Sequence, residues 1–392
     1  MEYFSNKEVV EKYNISQPTL FKWLKNAQIQ KNNLVIQKVN KNWKIIKNEQ
    51  NISELERLYL EAQKFKNKIA LEKITPKSEF FEIFSHRQIV EIINDLQISK
   101  EINLKFSYFG QNNIVWDKQA KDTKNYKTTA TDSQNLLNSF PFLAQKISQF
   151  SKINIIDIGC GNGLATLEFV KHIHKKKLLN KYIAVDISPE MLEIAKINLN
   201  AGIDNLNFVS YIHDIEESDI KEICFDNKIE KTVNLILFIG GTVGNFTNQD
   251  HIWSNLKNSL GKNDLLIISN KLDKNESKSR FDGVKKYYQR YLYIPNLLGL
   301  ETINPKLHFI FNEKKQARCC YLELQKDYIL NIKDDKIDTI LKFQKGDKIE
   351  IWMHKLSTVQ SLLDSLTFYG LEMVQLTTEK DGNHALVVAE KL

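Results

Sequence analysis

Cysteine is scarce in this chain, with four in 392 residues. Cys160, Cys224, Cys319 and Cys320 form no CxxC pair, so neither a disulfide framework nor a metal site is expected. Long apolar runs are missing as well. The longest, VNLILFIGG at 233–241, falls short of the ~20 residues that span a bilayer and reads as a buried strand. The first residues, MEYFSNKEVVEKY, carry acids and an amphipathic pattern, unlike a signal peptide. A cytoplasmic location without membrane contact is the expectation. Proline is sparse, six in all, and no two are adjacent. Hydrophobic residues at 42% and charged residues at 26% suit a packed globular chain, and the length suggests two or three domains.

Positive charge is present but unevenly placed. Residues 1–48 hold nine Lys against three Glu, which is +6 of the chain's net +7. The basic character therefore belongs to the N-terminus. There, Ser5 is expected to cap a helix running to Tyr13, with Val9 and Val10 facing inward. Asn14-Ile15 makes a turn, and Ser16 caps a second helix with Pro18 in its first turn. Leu20, Trp23 and Leu24 form its apolar stripe. Leu34–Val39 and Trp43–Ile46, joined by Asn40-Lys41-Asn42, read as a hairpin wing. The order NKEVVEKYNISQPTLFKWLKN resembles the first helix pair of excisionase and MerR-type DNA-binding domains. That resemblance implies a winged helix-turn-helix over 1–48, with Gln17, Thr19, Lys22 and Lys25 toward DNA. A helical docking or dimerisation module with solvated lysines is the alternative. Residues 49–97 read as a helical linker. An amphipathic helix over Asn51–Lys73 repeats Leu55, Leu58, Ala62, Phe65 and Ile69 and is long enough for a dimer coil. Thr75-Pro76 breaks it, and a second helix is expected over Glu79–Asp95.

The stretch NIIDIGCGNG at 154–163 is the chemical centre of the chain. Ile155, Ile156 and Ile158 read as a buried parallel strand. It runs into Gly159, Gly161 and Gly163, and Leu164, Leu167, Val170 and Ile173 then recur at helical spacing. Strand, glycine turn and helix open a doubly wound nucleotide-binding fold. Leu164 stands where a phosphate-binding Lys would be, so a phosphate loop is excluded. A second strand, Tyr182–Val185, ends in Asp186, placed to hold a ribose diol. A third, Leu206–Tyr211, is followed by His213-Asp214-Ile215. This D-x-G-x-G-x-G pattern with acids at three strand ends resembles class I S-adenosylmethionine (SAM)-dependent methyltransferases. The resemblance implies a SAM site built from Asp157, Gly159, Gly161, Gly163 and Asp186, with Asp214 and Ile215 at the adenine.

A core over 98–271 is expected to continue through Val233–Ile239 and Leu265–Ser269. Residues 272–355 change periodicity. Aromatic-rich helices (Tyr287, Tyr288, Tyr291, Tyr293) precede strand-like runs at Ala317–Leu324, Thr339–Phe343 and Lys348–His354. This reads as an inserted α+β substrate-binding subdomain. Residues 356–392 complete the sheet, with a helix over Thr358–Tyr369 and a hairpin of Leu371–Leu376 and Ala385–Ala389 around Asp381-Gly382-Asn383.

The loop GGTVGNF at 240–246 resembles that of histidine-specific N-α-methyltransferases of ergothioneine biosynthesis. Lys105–Phe109 and Tyr126–Thr129 also resemble tyrosine segments of that family. The likeness spans about residues 100–392. It implies that Asn245 holds the substrate's amino or carboxylate group and that Gly240, Gly241 and Thr242 line the methionine end of SAM. It further implies that Tyr108 and Tyr126 face the substrate. Two positions depart from the family. Its imidazole-gripping Glu-x-Ser pair falls on Trp352 and His354, and a carboxylate-contacting tyrosine falls on Phe281. The reaction implied is methylation of the amino group of an amino acid or small amine, with the side-chain pocket changed. Period two places Glu350, Trp352 and His354 together facing the cleft, opposite Ile349, Ile351 and Met353. That face suits an aromatic or cationic amine. Glu350, His354 and Tyr126 are candidate proton acceptors, alongside water. Two other readings remain open. A nucleic-acid methyltransferase lacks support from any Pro-Pro or Pro-Cys motif. A ligand-responsive regulator would use the methyltransferase fold as a sensor.

Overall fold

The computed structural model describes residues 2–40, 42–66, 72–122, 124, 126–272, 281–355, 357–379 and 382–392, with the side chains of 62–66 and 282–283 set aside. The chain divides into two compact units, Met1–Glu72 and Lys73–Leu392.

In the first unit, helices Asn6–Lys12 and Gln17–Gln28 form where expected. The Ser5 and Ser16 side chains accept from Glu8 N and Thr19 N, and so satisfy backbone donors at each helix start. Strands Ile36–Val39 and Asn42–Ile46 pair as the expected hairpin, and Tyr3–Phe4 adds a third strand along Asn42–Ile46. The next helix, Glu49–Lys66, is not a free linker. Its Leu55 and Leu58 are buried with Phe4, Leu20, Trp23 and Leu24 in the core of this unit. Buried Asn51 fixes it further by accepting from Val35 N and donating to Val35 O and Ile46 O. The expected continuation to Lys73 fails, because Glu72–Ile74 is a strand. Ile69 lies outside the described residues, as do the side chains of Ala62 and Phe65.

The second unit is built on a seven-stranded sheet. Its strands in chain order are β1 (Lys152–Ile158), β2 (Leu179–Asp186), β3 (Phe208–Ile212), β4 (Thr232–Phe238), β5 (Leu265–Lys271), β6 (Leu371–Thr378) and β7 (His384–Lys391). Their spatial order is β6-β7-β5-β4-β1-β2-β3. β1 to β5 run parallel, and β7 runs antiparallel to both β5 and β6. Side chains alternate between two cores. Ile155 packs with Leu136, Phe140 and Phe169 on one face; Ile156 and Ile158 pack with Ile252, Trp253 and Leu366 on the other. Such doubly covered parallel strands explain the unbroken apolar runs.

Between β5 and β6 the chain forms two small sheets. One contains Lys306–Asn312, Ala317–Glu323 and Lys348–Lys355, all antiparallel. The other pairs Tyr328–Lys333 with Asp338–Phe343. The expected helix Glu79–Asp95 is instead two helices, Ser78–Ile83 and His86–Ile98. Ser85 adopts extended backbone between them and forms a capping box with Gln88. Phe80, Phe84, Ile89, Ile92 and Leu96 pack with Leu322, Tyr328 and Ile349. These helices therefore share a core with the strands after β5 rather than acting as a linker. Asp381, expected at the C-terminal turn, lies outside the described residues. Among the described residues no helix is long and apolar enough to cross a membrane.

Candidate active site

The carboxyl ends of β1, β2 and β4 open onto a cleft of about 130 Å³. Strand ends of a parallel sheet are the usual ligand site because successive loops diverge there. Gly159 and Gly161 hold positive φ of 64° and 53°. A Cβ on either would meet nothing closer than 3.8 Å and would stand in the cleft itself. The bare backbone therefore forms a cradle that a side chain would fill. Asp186 ends β2 beside it. Its Oδ2 accepts from Gly161 N at 3.0 Å and its Oδ1 from Ser188 N at 3.0 Å. Each oxygen keeps a second lone pair. Burial pushes its carboxyl above the usual range. Apolar walls come from Ile158, Ile187, Ile215, Phe238 and Phe246. Bare backbone, an oriented carboxylate and flat apolar walls fit a nucleoside carried on an amino acid.

Asp214 also lines this cleft, but it is already engaged. Its Oδ2 lies 2.7 Å from Lys105 Nζ, and Oδ1 accepts from Glu216 N. Lys105 is 8% exposed and also pairs with Glu91 at 2.5 Å. Glu216 beside them is pushed up to about 7 by burial. Sequence reasoning passed over Lys105 as part of an aromatic segment.

Two expected cofactor residues do not reach the cleft. Asp157 alternates with Ile158 and so faces the opposite side of the strand. It is 1% exposed and accepts from Thr166 Oγ1 at 3.0 Å and Tyr182 OH at 2.5 Å. Burial pushes it up to about 7. Its role is to tie the glycine turn to the helix and to β2. Gly163 packs instead against the helix Pro189–Gly202, where a Cβ would lie 3.0 Å from Leu199 Cδ1.

A larger cavity, about 740 Å³, adjoins the first and shares Leu104, Tyr108, Thr242 and Asn245 with it. It brings together Tyr108, Tyr126, Asn245, Trp352 and His354, expected to face the acceptor, with Gly240, Gly241 and Thr242, expected at the methionine end of SAM. Gly240 and Gly241 face this cavity alone. The GGTVGN loop is held from beneath. Gly240 N donates to Asp132 Oδ2 at 3.1 Å and Ser269 Oγ at 2.9 Å. Asp132 is fully buried, with His384 Nε2 3.2 Å from its Oδ1, and burial pushes it up to about 7. Thr242 Oγ1 donates to Ile239 O.

At the wall, His354 Nδ1 lies 3.0 Å from Asn245 Oδ1. Asn245 accepts there, so Nδ1 carries the hydrogen and Nε2 bears the lone pair. Nε2 is buried without a hydrogen-bond partner. Burial, with Arg318 and Lys271 nearby, holds the imidazole well below its ordinary titration range, so it is neutral. Trp352 stacks parallel to it at 6.3 Å between centroids.

Glu350 and Phe281 are not part of this wall. The ladder between Ala317–Glu323 and Lys348–Lys355 pairs Cys320 with Trp352 but Tyr321 with Glu350. Ile351 is thus an extra residue, and the bulge breaks the alternation expected from sequence. Ile349, Ile351 and Trp352 share one core, while Met353 joins Cys319 in another. Glu350 faces the latter side and pairs with Lys315 at 2.7 Å. Phe281 is buried against Phe309, 6.0 Å between centroids, behind the cavity.

The cavity also holds cations that sequence reasoning missed: Lys127, Lys271, Arg290 and Arg318. One signal was available. The chain has five Arg among 55 basic residues, and two of the five line this cavity. No Asp or Glu is among the described lining residues. Among the described residues no cluster of His, Cys, Asp and Glu is placed to hold a metal ion.

Residues 88–391 match the family described as histidine-specific methyltransferase, SAM-dependent. Malonyl-[acyl-carrier protein] O-methyltransferase 1 of Ilyobacter polytropus is 25% identical over 272 residues, which is 65% of this chain and 95% of that protein. The carboxy-S-adenosyl-L-methionine synthase of Vibrio campbellii is 28% identical over 137 residues, 35% of this chain; the match spans about half of that synthase, 51%. Among solved structures, a SAM-dependent methyltransferase from Clostridium acetobutylicum superposes with a TM-score of 0.39 at 10% identity, covering 71% of this chain and 99% of that one. The glycopeptide N-methyltransferase MtfA complexed with SAM gives 0.34 at 10% identity, covering 67% and 94%. The family match takes in more than three quarters of the chain, including the glycine cradle, Asp186 and the GGTVGN loop: the protein belongs to this family of SAM-dependent methyltransferases, and SAM is its cofactor.

Proposed function

We propose that the protein transfers a methyl group from SAM to the amino nitrogen of a small-molecule acceptor bound in the larger cavity. The observation that carries this reading is the Asn245–His354 pair, set in the wall beside Thr242, where the two cavities meet. When bound, SAM supplies an electrophilic methyl on a sulfonium. Asp186 would hold the ribose hydroxyls with its remaining lone pairs, Gly159 and Gly161 would admit the backbone-proximal part, and Ile215 with Asp214 would flank the adenine.

The residues of the larger cavity then have three tasks. Asn245 is fixed by His354, which leaves its amide N–H groups free to orient the acceptor. His354, buried and neutral, holds Asn245 in the orientation that aligns the amine. A neutral imidazole with a depressed pKa is a poor base for an ammonium, so His354 positions the nitrogen rather than deprotonating it. The surrounding cations supply the remaining bias: like charge disfavours the ammonium form and so favours the free amine. The apolar and aromatic walls exclude water from the transfer. Tyr108 and Tyr126 line the acceptor's path, and burial keeps the Tyr108 phenol protonated as a donor.

The test is SAM-dependent methylation of a mixture of amines and amino acids, read by mass spectrometry on wild type and Asn245→Ala. Loss of product with retained binding of S-adenosylhomocysteine (SAH) supports the reading. Wild-type turnover in Asn245→Ala removes that pair from the reaction.

For the N-terminal unit we propose DNA binding, on the helix pair, the hairpin and the exposure of Gln17, Lys22 and Lys25. A gel shift with genomic fragments that shows no complex at low salt would count against it.

A further inference from the structure

We propose that the acceptor is an acidic amine: besides the nitrogen that is methylated, it carries a carboxylate or phosphate seated against Arg290. The inference deepens the methyl-transfer reading and rests on it for the identity of the cavity.

Arg290 is 8% exposed. A buried guanidinium is costly unless an anion compensates it. Its hydrogen-bond partners here are neutral: the Gln119 carboxamide oxygen and the Tyr291 hydroxyl. Its planar face lies 3.8 Å from the centroid of Trp116 and 4.6 Å from that of Tyr291. Ring contacts offset part of the charge but offer no counter-ion. Its Nε–H is buried with no acceptor at all. The backbone that carries it is pinned, since Asn112 Nδ2 donates to both Ser107 O and Arg290 O. This is a pre-oriented planar donor set, the geometry that suits carboxylate and phosphate oxygens. Lys127, Lys271 and Arg318 line the same cavity, and no described lining residue is acidic.

The anion at Arg290 is distinct from whatever Asn245 holds. From Arg290 the contacts run to Tyr291, then to Trp352 at 5.7 Å and to His354 at 6.3 Å between centroids, and only then to Asn245. Three rings, Tyr291, Trp352 and His354, link the two polar ends in this path, so an acceptor that reaches both has its amine at Asn245 and its acid on a separate part of the molecule. An aromatic or cationic amine is the expectation drawn from Trp352 and His354; the cations of the cavity favour an acidic one instead, and Glu350 faces Lys315.

The full-length protein saturated with SAH is titrated with benzoate, phenyl phosphate and benzylammonium, following the fluorescence of Trp116 and Trp352. Benzoate or phenyl phosphate is expected to bind at least about tenfold more tightly than benzylammonium. Whichever of the two prevails separates carboxylate from phosphate. Arg290→Gln should remove that preference. Arg290→Lys, which keeps the charge but not the fork, should retain part of it and guards against misfolding of the first variant. Equal binding of anion and cation, tighter benzylammonium, or a preference intact in Arg290→Gln overturns the proposal. Mass spectrometry with glutamate and its amide glutamine, or phosphoserine and serine, then separates the two claims. Anion preference without any methylated amine sinks the methyl-transfer reading alone. Methylation with no preference for the acid sinks the anion site alone.

Discussion

Gly244→Ala tests whether the placement of His354 matters to the reaction. Gly244 lies in the short turn Thr242–Asn245, directly under the imidazole. A Cβ there would sit 2.6 Å from His354 Nδ1 and 3.0 Å from Nε2, and closer still to Cε1. Ordinary contact begins near 3.4 Å, so the ring must retreat by about 1 Å. It has little room, being 5% exposed and stacked on Trp352 at an interplanar angle of 10°. The 3.0 Å bond to Asn245 breaks in the process. Overpacking should cost about 1–3 kcal/mol of stability, and the lost hydrogen bond about 1 kcal/mol. A 1 Å misplacement of an orienting group is worth about 100-fold in rate. SAH affinity, measured by calorimetry, should stay within a few-fold, because Asp186, Gly159 and Gly161 are untouched. The clash has a partner-specific remedy: Gly244→Ala combined with His354→Ala should recover most of the lost thermal stability without recovering turnover. Wild-type rates of SAH formation in Gly244→Ala, or no recovery in the double variant, would refute the reasoning.

Other perturbations separate fold from function. Asp157 is raised from 3.8 to about 7 by burial, so the folded state holds a proton that the unfolded chain releases. Its favourable contribution is complete below pH 4 and is lost as pH rises to 7. Asp157→Asn, which still accepts from Tyr182 and Thr166, should therefore gain on wild type between pH 5 and pH 8, by up to about 3 kcal/mol; a gap independent of pH in thermal melts would contradict the burial argument. Lys105→Met leaves Asp214, Glu91 and Glu216 without their cation, and should cost about 3–5 kcal/mol together with SAH affinity; an unchanged melting temperature would count against it. Asp186→Ala should weaken SAH binding with little change in fold, and calorimetry showing unaltered affinity would remove it from the cofactor cleft.

The cofactor half of the site was largely readable because its chemistry belongs to the backbone. A strand, a glycine turn and an acid at the next strand end occupy short, local stretches, and each works through N–H groups or a terminal carboxylate. Asp157 failed for an equally local reason. It alternates with Ile158, so once Ile158 faces the cleft Asp157 cannot. The acceptor half is different in kind. Its walls come from 104–119, 126–128, 240–245, 271, 284–291, 318 and 352–354, brought together by the central sheet and by the packing of the strands after β5 against the helices before β1. Hydrophobic periodicity marks each of those elements as amphipathic but does not say which of them meet. The helix Glu49–Lys66 shows the same limit: its apolar stripe was legible, while its burial in the N-terminal unit was decided by Trp23 and Leu20.

One inserted residue decides the charge that this cavity presents. Had the strand Lys348–Lys355 kept strict alternation, Glu350 would share the face of Trp352 and His354 and place a carboxylate among Lys271, Arg290 and Arg318. A carboxylate there would neutralise the cations and favour a basic acceptor. The bulge at Ile351 instead turns Glu350 to the far side, where Lys315 and the Cys319 face receive it. The cavity keeps its aromatic wall and its neutral imidazole, and no described lining residue is acidic. Composition along the strand is the same in either register, so acceptor charge is set by backbone geometry rather than by which residues the strand contains. The family resemblance drawn from the sequence puts Trp352 and His354 where an acid and a hydroxyl are expected, and leaves open whether the adjacent Glu350 takes over. The fold answers it: the side chain that would grip a cation is paired with Lys315, and among the cations lining the cavity Arg290 keeps an Nε–H without an acceptor.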